Sequence, residues 1–309
     1  MTALSARTAI LMTLPPLMWA GNAVVGRLLV GHVSPLSLNF LRWLLAALLL
    51  APLGWHALRD ARVIAVSWPY LLAIGCLGVG AYNALQYLAL TTSTPLNVTL
   101  IAASMPLWML AVGALAFGQH AQPRQLLGAA LSLAGVLLVV SRGSWQILAQ
   151  VQWLAGDVYI LIAALAWAIY SWLLAQPPAW LRPPSRETLA AWGWAGLLLV
   201  QVLFGLIAAG AAAAGEWALT DTVTIDWRNA WVLAALLFVA VGPSIVAYRC
   251  WGLGVALGGP ALAAFFANLT PLFAALLSAW LLGETPRTYH AGAFALIVAG
   301  IAISARRSA

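Results

Sequence analysis

Ten apolar stretches follow one another along the chain, at 8–30, 35–54, 66–90, 95–118, 124–141, 154–175, 188–214, 229–257, 260–282 and 288–305. Each is long enough to carry a helix across roughly 30 Å of hydrocarbon, which takes about 17–25 residues. Only 7% of the residues are charged, against roughly a quarter in a soluble domain, so a water-facing globule is excluded. The expectation is an all-α integral membrane protein with ten transmembrane helices, whose first partner is the lipid bilayer. The first stretch exceeds the about 7–15 apolar residues of a signal peptide and is read as a span.

The net charge of +7 comes from arginine alone, with no lysine. Nucleic-acid binding would gather such residues on one face; here they stand singly or in pairs between spans, so no nucleic-acid partner is expected. With the N-terminus inside, the inner segments hold Arg7, Arg59, Arg62, Arg124, Arg182, Arg186, Arg306 and Arg307, and the outer ones Arg142, Arg228 and Arg287. That bias places both termini in the cytoplasm. Cys76 and Cys250 are too few for a metal cluster or a disulfide framework, and no cofactor is expected.

Spans four and nine, LIAASMPLWMLAVGALAFGQ and FFANLTPLFAALLSAWLLGE, carry a proline at the same place. Pro95 and Pro260 differ by 165, as do Pro106 and Pro271, Leu107 and Leu272, Gly118 and Gly283, and Gly135 and Gly300. Trp19-Ala20 likewise resembles Trp167-Ala168. The chain reads as a five-span unit written twice, over 1–141 and 154–309 with a linker at 142–153. Because five is odd, the second copy enters the membrane in the opposite sense, an inverted-topology repeat recurrent among secondary transporters.

Pro106 and Pro271 lie about 16 Å beyond the prolines that open their spans, near the midplane. A proline there removes a backbone hydrogen bond, which survives only within protein or beside a wet cavity. Gly78 and Pro243 form a second matched weakness, in spans three and eight. These four residues are the expected hinges of a central pathway, with ordinary kinks as the plainer reading.

The early Trp19 to Asn22 motif, Arg42 in span two, the proline-opened span four, the mid-span proline and the closing Leu281 to Glu284 resemble the drug/metabolite transporter superfamily, and within it the ten-helix EamA-type exporters. Gln119 departs from the pattern, standing where the first half usually has glutamate. The overall look is similar to YddG-type exporters of amino acids in the bacterial inner membrane. The resemblance implies that spans one, three, four, six, eight and nine surround a substrate cavity.

Polar side chains within spans are expensive in lipid and usually face the bundle interior. The candidate binding residues are Trp19 and Asn22 in span one, Tyr82, Asn83 and Gln86 in span three, Trp167 and Tyr170 in span six, Ser244 and Tyr248 in span eight, and Asn268 in span nine. Taken singly, each is as readily interhelical glue. Together they suit an amino acid, with amides for its charged ends and ring faces for its side chain. Arg42 is read first as structural, bonding helix-end carbonyls; Arg249 pairs with a carboxylate or snorkels.

The seven acidic residues and four histidines fall in loops or at span ends, so passage without a side-chain proton relay is expected. The spans also lack the metal-ligand and nucleophile constellations of an enzyme. The sequence therefore predicts a secondary transporter exporting amino acids, aromatic ones among them, or related small metabolites across a bacterial inner membrane by alternating access. Import or exchange of another metabolite or a quaternary amine is the alternative, and a polytopic enzyme a remote one. The small faces at Gly128, Gly135, Gly292 and Gly300 fit either a dimer or packing within one chain.

Overall fold

A computed structural model describes residues 5–29, 31–219, 225–282 and 287–305. Asp221, Gly283, Glu284, Arg306 and Arg307, which entered the charge and motif readings, lie outside them. The described residues form ten helices able to cross a membrane and no strand. They are α1 (Ala6–Leu28), α2 (Pro35–Gly54), α3 in two parts (α3a, Ala61–Gly75; α3b, Tyr82–Thr92), α4 in two (α4a, Pro95–Ala103; α4b, Met105–Ala116) and α5 (Pro123–Val140). The rest are α6 (Ala155–Ala175), α7 (Gly193–Leu219), α8 (α8a, Ala230–Val239; α8b, Ala247–Gly258), α9 (α9a, Pro260–Ala267; α9b, Thr270–Leu282) and α10 (Thr288–Ala305).

Local chemistry sets the ends. Proline opens α2, α4a, α5 and α9a, where its missing N–H costs nothing. Thr94 caps α4a by accepting from the Asn97 N–H at 3.1 Å. The seventh helix starts at Gly193 rather than near 188, because Gly193 adopts φ 65°, which separates the short helix Ser185–Ala191 from α7. Large apolar side chains such as Leu48, Leu115, Ile207 and Trp280 point outward, as a lipid-facing surface requires.

The matched prolines break their helices rather than kinking them. α4 stops at Ala103 and restarts at Met105; α9 stops at Ala267 and restarts at Thr270. Pro106 and Pro271 therefore fall in the first turn of a new helix, where no N–H is needed. The freed carbonyls are taken locally by hydroxyls, Ser104 Oγ donating to Ile101 O at 2.6 Å and Thr270 Oγ1 to Ala267 O at 2.7 Å. At the other matched pair, α3 and α8 widen into π-helical turns at Cys76–Ala81 and Ala240–Val246, which contain Gly78 and Pro243.

α5 and α10 run antiparallel against one another. A Cβ on Gly128 would sit 2.7 Å from Gly300 O, one on Gly300 2.6 Å from Gly128 O, and one on Gly135 2.9 Å from Ala293 O. The small-residue faces thus pack within one chain, and the structure assigns them to that use.

We call the end of the bundle where α1 begins the near end, and the opposite one the far end. In the near half a single apolar core joins Met12, Ile74, Met109, Trp172, Trp251, Val255 and Phe265, from α1, α3, α4, α6, α8 and α9. In the far half the packing divides. Leu29, Val33, Leu38, Val232 and Leu236 make one cluster, and Ala89, Val98, Ile160 and Ala163 another. Consistently, α4b packs on α9a in the near half, while α4a and α9b share no substantial contact in the far half. Apolar packing is thus continuous in the near half and divided in the far half.

At the far end two carboxylates tie helices together. Asp157 accepts from Ser93 Oγ, from Asn97 Nδ2 at 2.8 Å and from the Leu154 N–H at 2.9 Å. Glu216 at the end of α7 accepts from Ser34 Oγ at 2.6 Å and from the Leu36 and Ser37 N–H groups at 3.1 and 3.0 Å, capping α2. Charged acceptors on helix N–H groups are worth about 1.5–3 kcal/mol each. Glu216→Ala is expected to lower the thermal midpoint in detergent through about 1–3 kcal/mol of lost stability; an unchanged midpoint would show the cap to be idle.

Candidate functional site

The ring-bearing candidates meet near mid-depth, between the continuous near core and the divided far half. Trp167, 1% exposed, is the hub. Its ring centroid lies 4.6 Å from Tyr82, 5.0 Å from Tyr170, 5.2 Å from Trp251, and 5.4 Å from both Trp19 and Tyr248. Such tilted and edge-on pairs suit the ring quadrupole. Trp43 extends the cluster, edge-on to Tyr248 at 4.8 Å. Five helices thus converge on one aromatic surface: α1, α2, α3b, α6 and α8b.

Two of the polar ends of these rings are already occupied by the widened backbone. The Tyr248 hydroxyl donates to Gly78 O in the first π turn, and Trp19 Nε1 donates to Pro243 O in the second at 3.3 Å. Ser244 Oγ donates to Val239 O at 2.8 Å. Tyr170 accepts from Gln201 Nε2 at 3.2 Å, and its ring lies where a Cβ on Gly78 would be, 2.7 Å away. Gly78 is therefore a point of close approach between α3 and α6. Of these rings only Trp19 and Tyr82 are partly exposed; Trp43, Trp167, Tyr170, Tyr248 and Trp251 are buried behind them.

Amides behave differently from one another. Asn83 is buried, accepting from Arg42 and donating to Tyr248 OH at 3.2 Å. Gln86 is half-buried. Asn22 has a buried Oδ1 with no hydrogen-bond partner among the described residues. Asn268 stands apart from the rings: its Nδ2 donates to Ala103 O at 3.2 Å and to Ser132 Oγ at 3.0 Å, covering the break in α4. Residues 83 and 248, and 103 and 268, are each 165 apart and touch.

Arg42 differs from its sequence reading. It is 1% exposed and bonds side chains rather than helix-end carbonyls: Ser244 Oγ at 2.9 Å, Tyr87 OH at 3.2 Å and Asn83 Oδ1 at 3.4 Å. Position alone conceals this, because span two is not among those expected to surround the cavity and the contact spans 202 residues. Trp251 was also missed, though its spacing of three from Tyr248 puts both on one helix face. Arg249 is exposed and lies over the Trp194 ring at 4.3 Å, at the near end, as a snorkelling side chain does. Arg59 lies over Trp55 at 3.9 Å at the same end.

Among the described residues no group of histidine, cysteine, aspartate and glutamate is placed to hold a metal. A cavity lined by Thr94, Asn97, Ile147 and Gln152 lies at the far surface, away from the rings. Within the site the arrangement is an aromatic floor, one buried cation and a few amides: equipment for holding a small molecule rather than for breaking a bond.

Comparison with known proteins agrees on the kind of molecule. The EamA-like transporter family model matches residues 6–141 and again 154–306. A protein of Archaeoglobus fulgidus named as an uncharacterized transporter is 29% identical over 96% of this chain and 97% of its own length. A probable amino-acid metabolite efflux pump of Salmonella typhimurium is 26% identical over 97% of this chain and 95% of its own. A solved crystal structure superposes with a TM-score of 0.75 over 96% of both chains at 21% identity, which establishes a shared fold.

Proposed function

Since the chain belongs to the EamA-like transporter family, we propose that this multi-pass membrane protein is a secondary carrier exporting amino acids, or closely related small metabolites, by alternating access. The observation that carries the reading is the far half, whose apolar packing divides in two, ending on the Trp167 ring cluster. A ligand there would meet the partly exposed Trp19 and Tyr82 rings and the Gln86 amide, with the buried Arg42 behind them, the pattern an amino acid would need. The relatives named as amino-acid metabolite efflux pumps support the substrate class.

The remaining elements are read together. Units at 1–141 and 154–309 stand in inverted topology, joined by 142–153. The arginine bias puts the near end in the cytoplasm of a bacterial inner membrane, so the divided far half faces outward. Breaks at Ser104 and Asn268 and π turns at Gly78 and Pro243 are the points about which the halves exchange their seams. On opening the near end, the seam of Met12, Trp251 and Phe265 would have to part. Similarity to YddG-type exporters belongs to this reading.

Counterflow into proteoliposomes preloaded with single unlabelled amino acids tests it. Stimulated uptake of at least one labelled amino acid is expected, without chemical change. Because ring faces also bind organic cations, the panel includes a quaternary amine, choline. Flux of choline alone would replace amino acids as the cargo, and the absence of flux for every compound would end the proposal.

A further inference from the structure

We infer that Arg42 is the group that takes hold of a substrate carboxylate, so that the cargo must carry one. This deepens the carrier reading above and rests on it. Arg42 is buried, and its planar guanidinium is a cation. Its described hydrogen bonds run from Nε and Nη1 to two hydroxyls and one amide oxygen, all neutral. None of the described bonds uses Nη2, and no described carboxylate bonds the guanidinium.

A brace for the second π turn would not need a charge. Ser244 and Tyr87 could be reached by a neutral donor, and a buried charge without a counter-ion carries a desolvation penalty that such a donor avoids. The positive charge is useful where an anion arrives, and the planar fork of a guanidinium matches a carboxylate's two oxygens. Its place is right for that. Asn83, which Arg42 contacts, also bonds Tyr248, whose ring lies against the Trp167 hub.

An acceptor for the other end of an amino acid lies beside the same turn. Arg42 bonds Ser244, while Trp19 bonds the adjacent Pro243. Asn22, three residues beyond Trp19 on the next turn of α1, carries the buried Oδ1 that no described group partners. An ammonium supplies the donor it lacks. The substrate class is thus an α-amino acid lying with its carboxylate toward α2, its ammonium toward α1, and its side chain over the rings.

The test measures binding in nanodiscs by thermal shift and tryptophan quenching. Phenylalanine and leucine are each compared with the decarboxylated amine and the deaminated acid of the same skeleton, against wild type and Arg42→Gln. The expected result is that carboxylate-bearing compounds bind wild type and weaken by about 30-fold or more in Arg42→Gln. Any binding of the bare amines should be unaffected. Arg42→Lys, which keeps the charge but not the fork, should fall between, and it stands in if the Gln variant does not fold.

Amino acids binding Arg42→Gln as tightly as wild type would overturn the inference and leave the carrier reading intact, as would equal loss for acids and amines. Arginine-dependent binding of the deaminated acids alone would keep the inference and remove amino acids as cargo. Binding restricted to the amines, or none by any compound, overturns it.

Discussion

Trp167→Ala is expected to abolish counterflow and to lower the thermal midpoint more than any other single ring removal in the site. The side chain is 1% exposed and is in ring contact with Trp19, Tyr82, Tyr170, Tyr248 and Trp251. Removing it costs about 3–5 kcal/mol in lost burial and residual cavity, and each aromatic pair contributes about 0.5–1.5 kcal/mol beyond burial. It also withdraws the face on which Tyr82 and Trp19 lean. Trp167→Phe keeps a ring at the hub and should preserve folding while weakening transport. The measurement pairs a melting curve in detergent with counterflow at a temperature where both variants are folded. Wild-type flux in a folded Trp167→Ala protein would move the site elsewhere.

Gly300→Val should prevent α5 and α10 from closing, with little folded protein recovered. A Cβ at this position would lie 2.6 Å from the Gly128 carbonyl oxygen and 3.1 Å from the Ser132 N atom. Backbone cannot swing aside as a side-chain tip can, so the helices must separate and forfeit their packing. In lipid, where hydrophobic burial does not drive helices together, that packing is the main attraction. Overpacking a tight core commonly costs about 1–3 kcal/mol, and a backbone obstacle sets the expectation at or beyond the upper end. Gly252→Ala supplies the contrast, since a Cβ there meets nothing within 4 Å. Its expected effect is neutral or a gain of up to about 1 kcal/mol from helix propensity. Equal recovery of the two variants by fluorescence-detected size exclusion would contradict the packing argument.

The position of each break was legible in the sequence, but its form was not. Matched prolines and the Gly78–Pro243 pair marked four weak points; the spacing could not say that α4 and α9 stop and restart while α3 and α8 widen. That depends on who satisfies the freed carbonyls. Asn268 covers Ala103 across the bundle, Tyr248 covers Gly78, and Trp19 covers Pro243. Those same residues had been read as facing a substrate. A polar side chain inside a span looks alike in sequence whether it serves a ligand or a broken helix, because both uses reward the same chemistry at the same depth.

Apolar length and scarce charge determined by themselves that this chain spans a membrane ten times, because lipid leaves so few alternatives for the backbone. Only the tertiary structure decided which polar groups meet. Arg42 reaches Ser244 across 202 residues, and the rings of α1, α3, α6 and α8 form one floor. Helix periodicity fixes which residues share a face, but the rotation and tilt of one helix against another follow from packing, a property of the whole bundle that no local stretch encodes.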